Sequence, residues 1–386
     1  MAGLSKVTIN VAGGGVGRRA PNEDKISGIL FWNSTTPAGF ATENKQKVLT
    51  LANAETLGIT ETAHELEWYL VSEFFRANDE GELWIMWLAA NLAPDFVELL
   101  ELQNFSGGEI RQFATFDVNV YDGTEPTKIQ AVVNVFPDDA PAVVLHTGNM
   151  QSLTAATLPD LRILVAQDVN VVVAQDGGGQ GEALSISESI SVCNVGAALG
   201  TLSRAGVQES IGHLAKFNRL SNGVEMEVLK YGTGELVSSL TDVEQGAVKN
   251  KGYLIARKYL PSVAGSYWER VPMSVVATND YAWVEANRTI DKAIRGVSAA
   301  LTPQLQSGVR LNSDGTLSDD SIGFFSDLAL DPLTNMETEG EISAAEVLID
   351  PTQDILSTST LEVTVRIVPI AIAEFIEVTI GLVAEL

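Results

Sequence analysis

Two glycine clusters have spacings that could do phosphate chemistry. The first contains "GVGRRA", residues 15–20, which has the Gly-x-Gly-x-x-Gly/Ala spacing of a dinucleotide-binding loop and follows a β-branched run. Such a loop needs a helix whose N-terminus points at the phosphate. The next segment, "PNEDKISGILFW", contains no ten-residue helical pattern. We therefore interpret the cluster as a flexible hinge. Its members are Gly13, Gly14, Gly15 and Gly17.

The second cluster is "QDGGGQG", residues 175–181, which lies between a strand-like run and a helical one. That context suits a phosphate loop better. However, residues 163–203 contain no Lys or Arg, and Asp176 adds a negative charge beside the glycines. We expect a turn between a strand and a helix, with no phosphate bound.

Metal and nucleophile motifs are incomplete. The segment "HELEW", residues 64–68, begins like a zinc-protease motif but has Trp68 where the second histidine is needed. Cys193 is the only cysteine, which excludes a disulfide framework, and its apolar surroundings predict a buried, inert thiol. The sequence predicts no catalytic, cofactor or metal site and no enzyme. The histidines are widely separated: His64, His146 and His213.

The composition describes an acidic globular protein. Among 386 residues, 24 Lys and Arg face 50 Asp and Glu, giving a formal net charge of −26. Such a surface repels nucleic acid, so we expect no nucleic-acid partner. No apolar run approaches the ~20 residues of a membrane span, and the N-terminus lacks a signal-peptide core, so we expect no membrane insertion and folding in a cytoplasm.

Strand-like and helical patterns alternate along the first two thirds of the chain. This order predicts a layered α/β fold with a partly parallel sheet. Strands are predicted over 25–32, 82–89, 111–121, 128–136 and 142–148, and helices over 61–77, 94–103, 149–160, 185–204 and 282–302.

The helix predicted over 282–302 has two contrasting faces. One carries a narrow apolar stripe that we expect to be buried. The other is charged, and two interpretations remain open for it: a solvated face, or a docking surface for an acidic neighbour. The stripe comprises Trp283, Ile290, Ile294, Val297 and Leu301, and the candidate docking face comprises Glu285, Arg288, Lys292 and Arg295.

The last 27 residues alternate between apolar and polar side chains. "TLEVTVRIV", residues 360–368, has the period of a half-buried strand, and Pro369 then marks a corner or an exit. A second alternation follows. A strand this apolar either folds back on its own domain or adds to the sheet of another copy. Its apolar positions are Ile376, Val378, Ile380 and Leu382.

Four segments in this order resemble the contractile tail sheath proteins of bacteriophages and related injection machines. The opening "VTIN…GVGRRAPNEDKISGILFW" also resembles a sheath-family start. The segments are "NKGYLIARKYLPSVAGSYWERV" (250–271), "YAWVEANRTIDKAIRGV" (281–297), "GEISAAEVLIDPTQDIL" (340–356) and "VTVRIVPIAIAEFIEVTIGL" (363–382).

The resemblance implies a mixed α/β (α+β) fold. A sheet-and-helix core would be built from both chain ends, with a variable middle and extended strand arms that join neighbouring subunits. The N-terminal arm would carry Val7, Ile9 and Val11, and the C-terminal arm the four positions named above. The expected divisions are 1–25 (arm and hinge), 26–105 (N-terminal core), 106–240 (variable middle), 241–370 (C-terminal core) and 371–386 (C-terminal arm).

The resemblance also implies a structural role without a cofactor. Sheath subunits polymerise helically around an inner tube and contract to drive it through a cell envelope. The implied partners are other copies, the tube, baseplate and tail terminator proteins, and the implied location is a virion tail or injection particle assembled in the bacterial host cytoplasm. Two alternatives stay open: the sheath of a secretion-type system, and a nucleotide-binding α/β enzyme.

Overall fold

The centre of the chain is a sheet of seven strands. A computed structural model describes residues 23–217, 226–259 and 265–380. The strands are β1 (Ile26–Trp32), β2 (Lys45–Val48), β3 (Glu82–Leu88), β4 (Gln112–Val120), β5 (Val143–Asn149), β6 (Val165–Ala166), β7 (Val169–Val172), β8 (Ala174–Asp176), β9 (Leu229–Tyr231), β10 (Tyr253–Leu254), β11 (Ala256–Arg257), β12 (Tyr267–Trp268), β13 (Ser274–Val275), β14 (Ile342–Leu348) and β15 (Thr364–Pro369).

Ten α-helices are present in the part of the chain that the structure describes. They are α1 (Leu51–Thr56), α2 (Glu65–Ala77), α3 (Glu98–Phe105), α4 (Glu125–Val133), α5 (Gln180–Glu188), α6 (Val195–Arg204), α7 (Asp242–Asn250), α8 (Val284–Leu301), α9 (Asp319–Thr338) and α10 (Ile355–Thr358).

The main sheet is parallel except at one edge. Its order is β10-β7-β5-β4-β1-β3-β2, and β2 pairs antiparallel with β3. All seven residues of β1 are buried, as expected for a strand with helices on both faces. Ile29 and Phe31 face the cluster that contains α2 and α6, while Leu30 and Trp32 face the cluster that contains α3 and α4. The predicted α/β layering and partly parallel sheet are confirmed.

Two close approaches fix these layers. Gly28 of β1 leaves room for the Phe113 ring of β4, because a Cβ there would lie 2.7 Å from it. Gly196 of α6 lies against the backbone carbonyl of Leu70 in α2, and a Cβ at that position would overlap the oxygen. The second contact lets two helices on one face of the sheet approach closely.

A separate unit follows the sheet. Helices α8 and α9 pack with the antiparallel hairpin of β14 and β15 around a small core of their own. Strands of the main sheet come from three of the predicted segments, since β1 precedes residue 105, β4 lies between 106 and 240, and β10 follows residue 240.

Three predicted elements were wrong. Residues 128–136 lie mostly in helix α4, where Pro126 stands in the first turn and Ile129, Val132 and Val133 line one buried face. The predicted helix 149–160 is also absent. Asn149 ends β5, and residues 150–160 form turns because the hydroxyls of Thr154 and Thr157 bond locally to the backbone. The predicted helix 185–204 is divided into α5 and α6.

The division between α5 and α6 has a local cause. Ser189 ends α5 in the left-handed conformation, with φ of 57°. The side chain of Asn194 then accepts a hydrogen bond from the Ala197 N–H and begins α6. Between them, Cys193 forms a β-bridge with Gln175. An apolar sequence alone does not reveal this break.

Candidate assembly surfaces

The hairpin of β14 and β15 has two unpaired edges. Within residues 23–217, 226–259 and 265–380, each of these strands pairs only with the other. Val365 and Ile367 of β15 pack with Val347 of β14 on the small core under α8 and α9. The backbone groups along both outer edges thus offer a template for another strand.

The segment after β15 exposes its apolar side chains. Residues 370–380 form no strand in the isolated chain, although the sequence predicts one over 360–386. Ile376 is 82% exposed and Ile380 is 89% exposed, and Phe375 and Val378 are similarly open. Leu382 lies outside the described residues. A row of exposed apolar side chains marks a surface for interaction with another protein.

Glu374 attaches this segment to the body. Its carboxylate lies 2.6 Å from Lys249 Nζ of α7 and 3.8 Å from an Nη of Arg270. Lys249 also pairs with Glu269 at 2.7 Å, and the Arg270 guanidinium stacks on the ring of Trp283, 4.2 Å from its centroid. The C-terminal segment is therefore tethered at 374 and open beyond it.

Asp24 attaches the N-terminal end of the described chain to the body, as Glu374 does for the C-terminal segment. Its carboxylate lies 3.1 Å from Arg295 and 3.3 Å from Lys292, both on α8. The Gln112 amide donates to the Asp24 carbonyl at 3.0 Å, and Lys25 pairs with Glu80 at 2.7 Å. These contacts fix the chain where it enters β1. The predicted arm and hinge positions lie outside the described residues: Val7, Ile9, Val11, Gly13, Gly14, Gly15 and Gly17.

The expected exposure of the charged α8 face is wrong. All four side chains of that face are buried or largely buried, whereas Ile294 of the predicted buried stripe is 40% exposed. The reason is that α8 lies between the body and the rest of the C-terminal unit. Its charged side chains therefore meet partners on both sides, including Asp24 of the body and Glu341 beside β14. The residues concerned are Glu285, Arg288, Lys292 and Arg295.

Each charge on this face has a partner within the chain. Arg288 donates to the carbonyls of Ala205 and Gly206, at 3.1 Å each, which follow the last residue of α6. Glu285 accepts from Arg270 at 3.3 Å. Burial lowers the pKa of Lys292, but Asp24 and Glu341 raise it overall. The face is an internal ionic contact, so we do not propose it as a docking surface.

Asp291 lies on the same side of α8 and is also buried. Burial, and next the carboxylate of Asp168, raise its pKa to about 7, although Arg295 and Arg288 oppose the shift. Desolvation therefore outweighs the surrounding cations. A carboxylate that is buried in this way belongs to an internal contact of the chain rather than to a solvated helix face.

The second glycine cluster forms the predicted turn between a strand and a helix, from β8 to α5. The N–H groups of Gly178 and Gly179 donate to Oδ1 of Asp176, at 3.1 Å each. The carboxylate of Asp176 therefore already accepts the hydrogen bonds that these two N–H groups could offer to a phosphate.

The remaining candidates for chemistry are parts of the core. Cys193 is buried, as predicted, and burial raises the pKa of its thiol to about 12. His146 is also buried, which lowers its pKa to about 3. Among the described residues, no group of three His, Cys, Asp or Glu side chains could hold a metal ion. In the same part of the chain, no helix is both long and apolar enough to span a bilayer.

Sequence reasoning missed Asp24, Glu374 and strand β14. Asp24 lies in the polar run "PNEDK" and Glu374 in the apolar run "IAIAEFI", and nothing in either run marks a buried or paired carboxylate. "ISAAEVL" of β14 shows only weak alternation because alanine occupies two of its positions. Strand β15 was detectable because its alternating apolar residues are valine and isoleucine rather than alanine.

Three solved structures are similar to the chain over nearly its full length. A chain of the anti-feeding prophage (AFP) baseplate is 14% identical, with a TM-score of 0.62 and 99% of both chains covered. A chain of the contracted AFP helical sheath is 13% identical, with the same TM-score and coverage. A chain of the contracted PVC sheath complex, from an extracellular contractile injection system, is 13% identical, with a TM-score of 0.60 and coverage of 99% and 97%.

Sequence comparison adds one match. The family model described as "DUF2586, C-terminal domain" matches residues 280–386. No curated protein sequence matches the chain. The structural similarities confirm the predicted fold: the chain has the α/β fold of contractile sheath proteins.

Proposed function

We propose that this protein is the structural subunit of a contractile sheath, which polymerises helically around an inner tube and contracts to drive it through a cell envelope. The single observation that carries the proposal is the near-complete coverage of both chains in the match to contracted sheaths. The exposed C-terminal segment and the hairpin edges left unpaired among the described residues support it, because one chain carries both an exposed apolar segment and an edge to which a strand could add.

The proposed joint between copies is strand addition. Residues 371–386 of one copy, and the N-terminal arm around Val7, Ile9 and Val11, would pair with the hairpin of β14 and β15 in neighbouring copies. Residues 26–370 form the body in this proposal, and the glycines from Gly13 to Gly17 act as the hinge. Glu374 and Asp24 are then the points at which the arms meet the body.

No bound nucleotide is required for the stroke. If contraction buries about 100 Å² more apolar surface per subunit, each subunit contributes about 2.5 kcal/mol, and a long polymer sums many such contributions. We accordingly propose a structural protein rather than an enzyme. Its partners would be other copies, the inner tube, and baseplate and terminator proteins, in a tail or injection particle assembled in the bacterial host cytoplasm.

Electron microscopy of the purified full-length chain tests the proposal. We expect hollow cylinders or ring stacks in negative stain. Because Ile376 and Ile380 are exposed, Ile376→Asp with Ile380→Asp should abolish the cylinders without changing thermal unfolding of the monomer.

Leu92→Asp is the matched control, since Leu92 is 89% exposed on the body and should leave the cylinders intact. Cylinders formed equally well by the double variant would disprove the strand-addition joint. Discrete particles whose melting responds to nucleotide would instead favour an α/β enzyme.

A further inference from the structure

An uncharged groove lies in the C-terminal unit. It has a volume of about 860 Å³ and is lined by fourteen residues, nine of them apolar and none charged. Leu305 and Leu356 stand at its rim and are 74% and 80% exposed. On a chain with a formal net charge of −26, an uncharged apolar surface of this size favours an apolar occupant.

The groove adjoins one end of the hairpin. Leu348 of β14 pairs with Thr364 of β15 at that end, and the connection between the two strands supplies six of the fourteen lining residues. These include Leu361 and Val363, which directly precede β15. A strand that added to β15 and ran toward Thr364 would leave the sheet at the groove.

The length of the C-terminal arm matches this arrangement. Strand β15 has six residues, and an added strand of equal length accounts for residues 375–380. Antiparallel pairing, the more frequent kind, makes the added strand run from Pro369 toward Thr364. The next residues are then "GLVAEL", 381–386, in which Leu382 and Val383 are apolar.

We propose that residues 381–386 of a second copy occupy the groove, after residues 375–380 of that copy have added antiparallel to β15. This inference rests on the proposed strand-addition function and names the site at which the arm ends. A second copy is the occupant because the chain's own arm leaves from the opposite end of β15, at Pro369, and is held to α7 through Glu374.

Cross-linking between two chains that each carry one added cysteine tests the contact directly. A Leu356→Cys chain is mixed with a Leu382→Cys chain, assembled, and treated with a mild oxidant. The native Cys193 is buried and does not compete. We expect a covalent dimer that contains one copy of each chain, and none when Leu92→Cys replaces Leu356→Cys. Absence of the mixed dimer from assembled cylinders, or equal yield with the control, would overturn the inference.

Charge substitution provides a second measurement. Leu356→Lys and Leu382→Glu should each raise the subunit concentration needed for cylinders by about tenfold, the equivalent of losing one buried leucine contact. The two together should recover part of the loss through an ion pair. If Leu356→Lys and Leu382→Glu each assemble normally while the Ile376→Asp, Ile380→Asp double variant does not, strand addition is supported and the proposed occupation of the groove is disproved. A wild-type chain that forms no cylinders would contradict both.

Discussion

Asp24 and Glu374 lie where the two terminal segments meet the body, and each is held by two cations. The carboxylate of Asp24 is the more buried, since it lies between Arg295 and Lys292 with only a tenth of its side chain exposed. Removal of one partner from such a pair leaves an uncompensated buried charge. The N-terminal end of the body is thus held to α8 by two ion pairs of one buried carboxylate.

Arg295→Met tests this attachment. We expect the free energy of unfolding to fall by about 3 kcal/mol, because Asp24 would keep only Lys292 in a buried site. Urea denaturation measures the change. Arg366→Met is the control: its pair with Glu346 is exposed on both sides and should contribute less than about 1 kcal/mol. Equal losses in both variants would show that Asp24 is solvated.

At the scale of elements, the body depends on the close packing of α6 on α2. Gly196 and Gly200 lie one turn apart on α6 and face the backbone carbonyls of Leu70 and Phe74. Side chains at these positions would separate the helices. Helix α6 also packs against strands β4 and β5 of the sheet. Its position therefore sets where Ala205 and Gly206, which follow it, meet Arg288 of α8.

Gly196→Ala should therefore destabilise the monomer by about 1–3 kcal/mol through overpacking. Gly246→Ala in α7 is the matched control. It has open space around its Cβ position and should gain about 1 kcal/mol from helix propensity. Thermal and urea unfolding of both variants provide the comparison. Stabilisation by both substitutions would mean that α6 and α2 are not in close contact.

The elements also show what the sequence could predict. Strands β1 and β3 were detectable because each is a dense apolar run. Strands β4 and β5 were detectable because they are rich in β-branched and aromatic residues. Helix α4 was not detectable, because its isoleucine and valines are residues typical of a strand. The charged face of α8 was predicted to be exposed because sequence periodicity shows which side of a helix is polar. It does not show which residues of the folded chain pack against that side. That face is buried because its partners come from distant parts of the chain. They include Asp24, Arg270 and Glu341.

At the scale of the whole molecule, assembly must overcome the repulsion between copies that each carry a formal net charge of −26. In the proposed contacts, burial of apolar surface offsets this repulsion. That surface comprises the exposed apolar side chains of residues 375–380 and the uncharged groove. The cations Lys292 and Arg295 are already paired within the chain. Attraction between copies should therefore be largely apolar and their repulsion largely electrostatic.

This balance predicts that salt promotes polymerisation. Raising NaCl from about 0.05 M to about 0.5 M shortens the screening length well below 10 Å and weakens the repulsion, while apolar burial is unaffected. The subunit concentration at which cylinders sediment should fall, and an uncharged solute at equal osmolarity should not reproduce the effect. Cylinders that dissolve on addition of salt would instead show that ion pairs between copies dominate the joint, and the arms would then act by charge rather than by apolar strand addition.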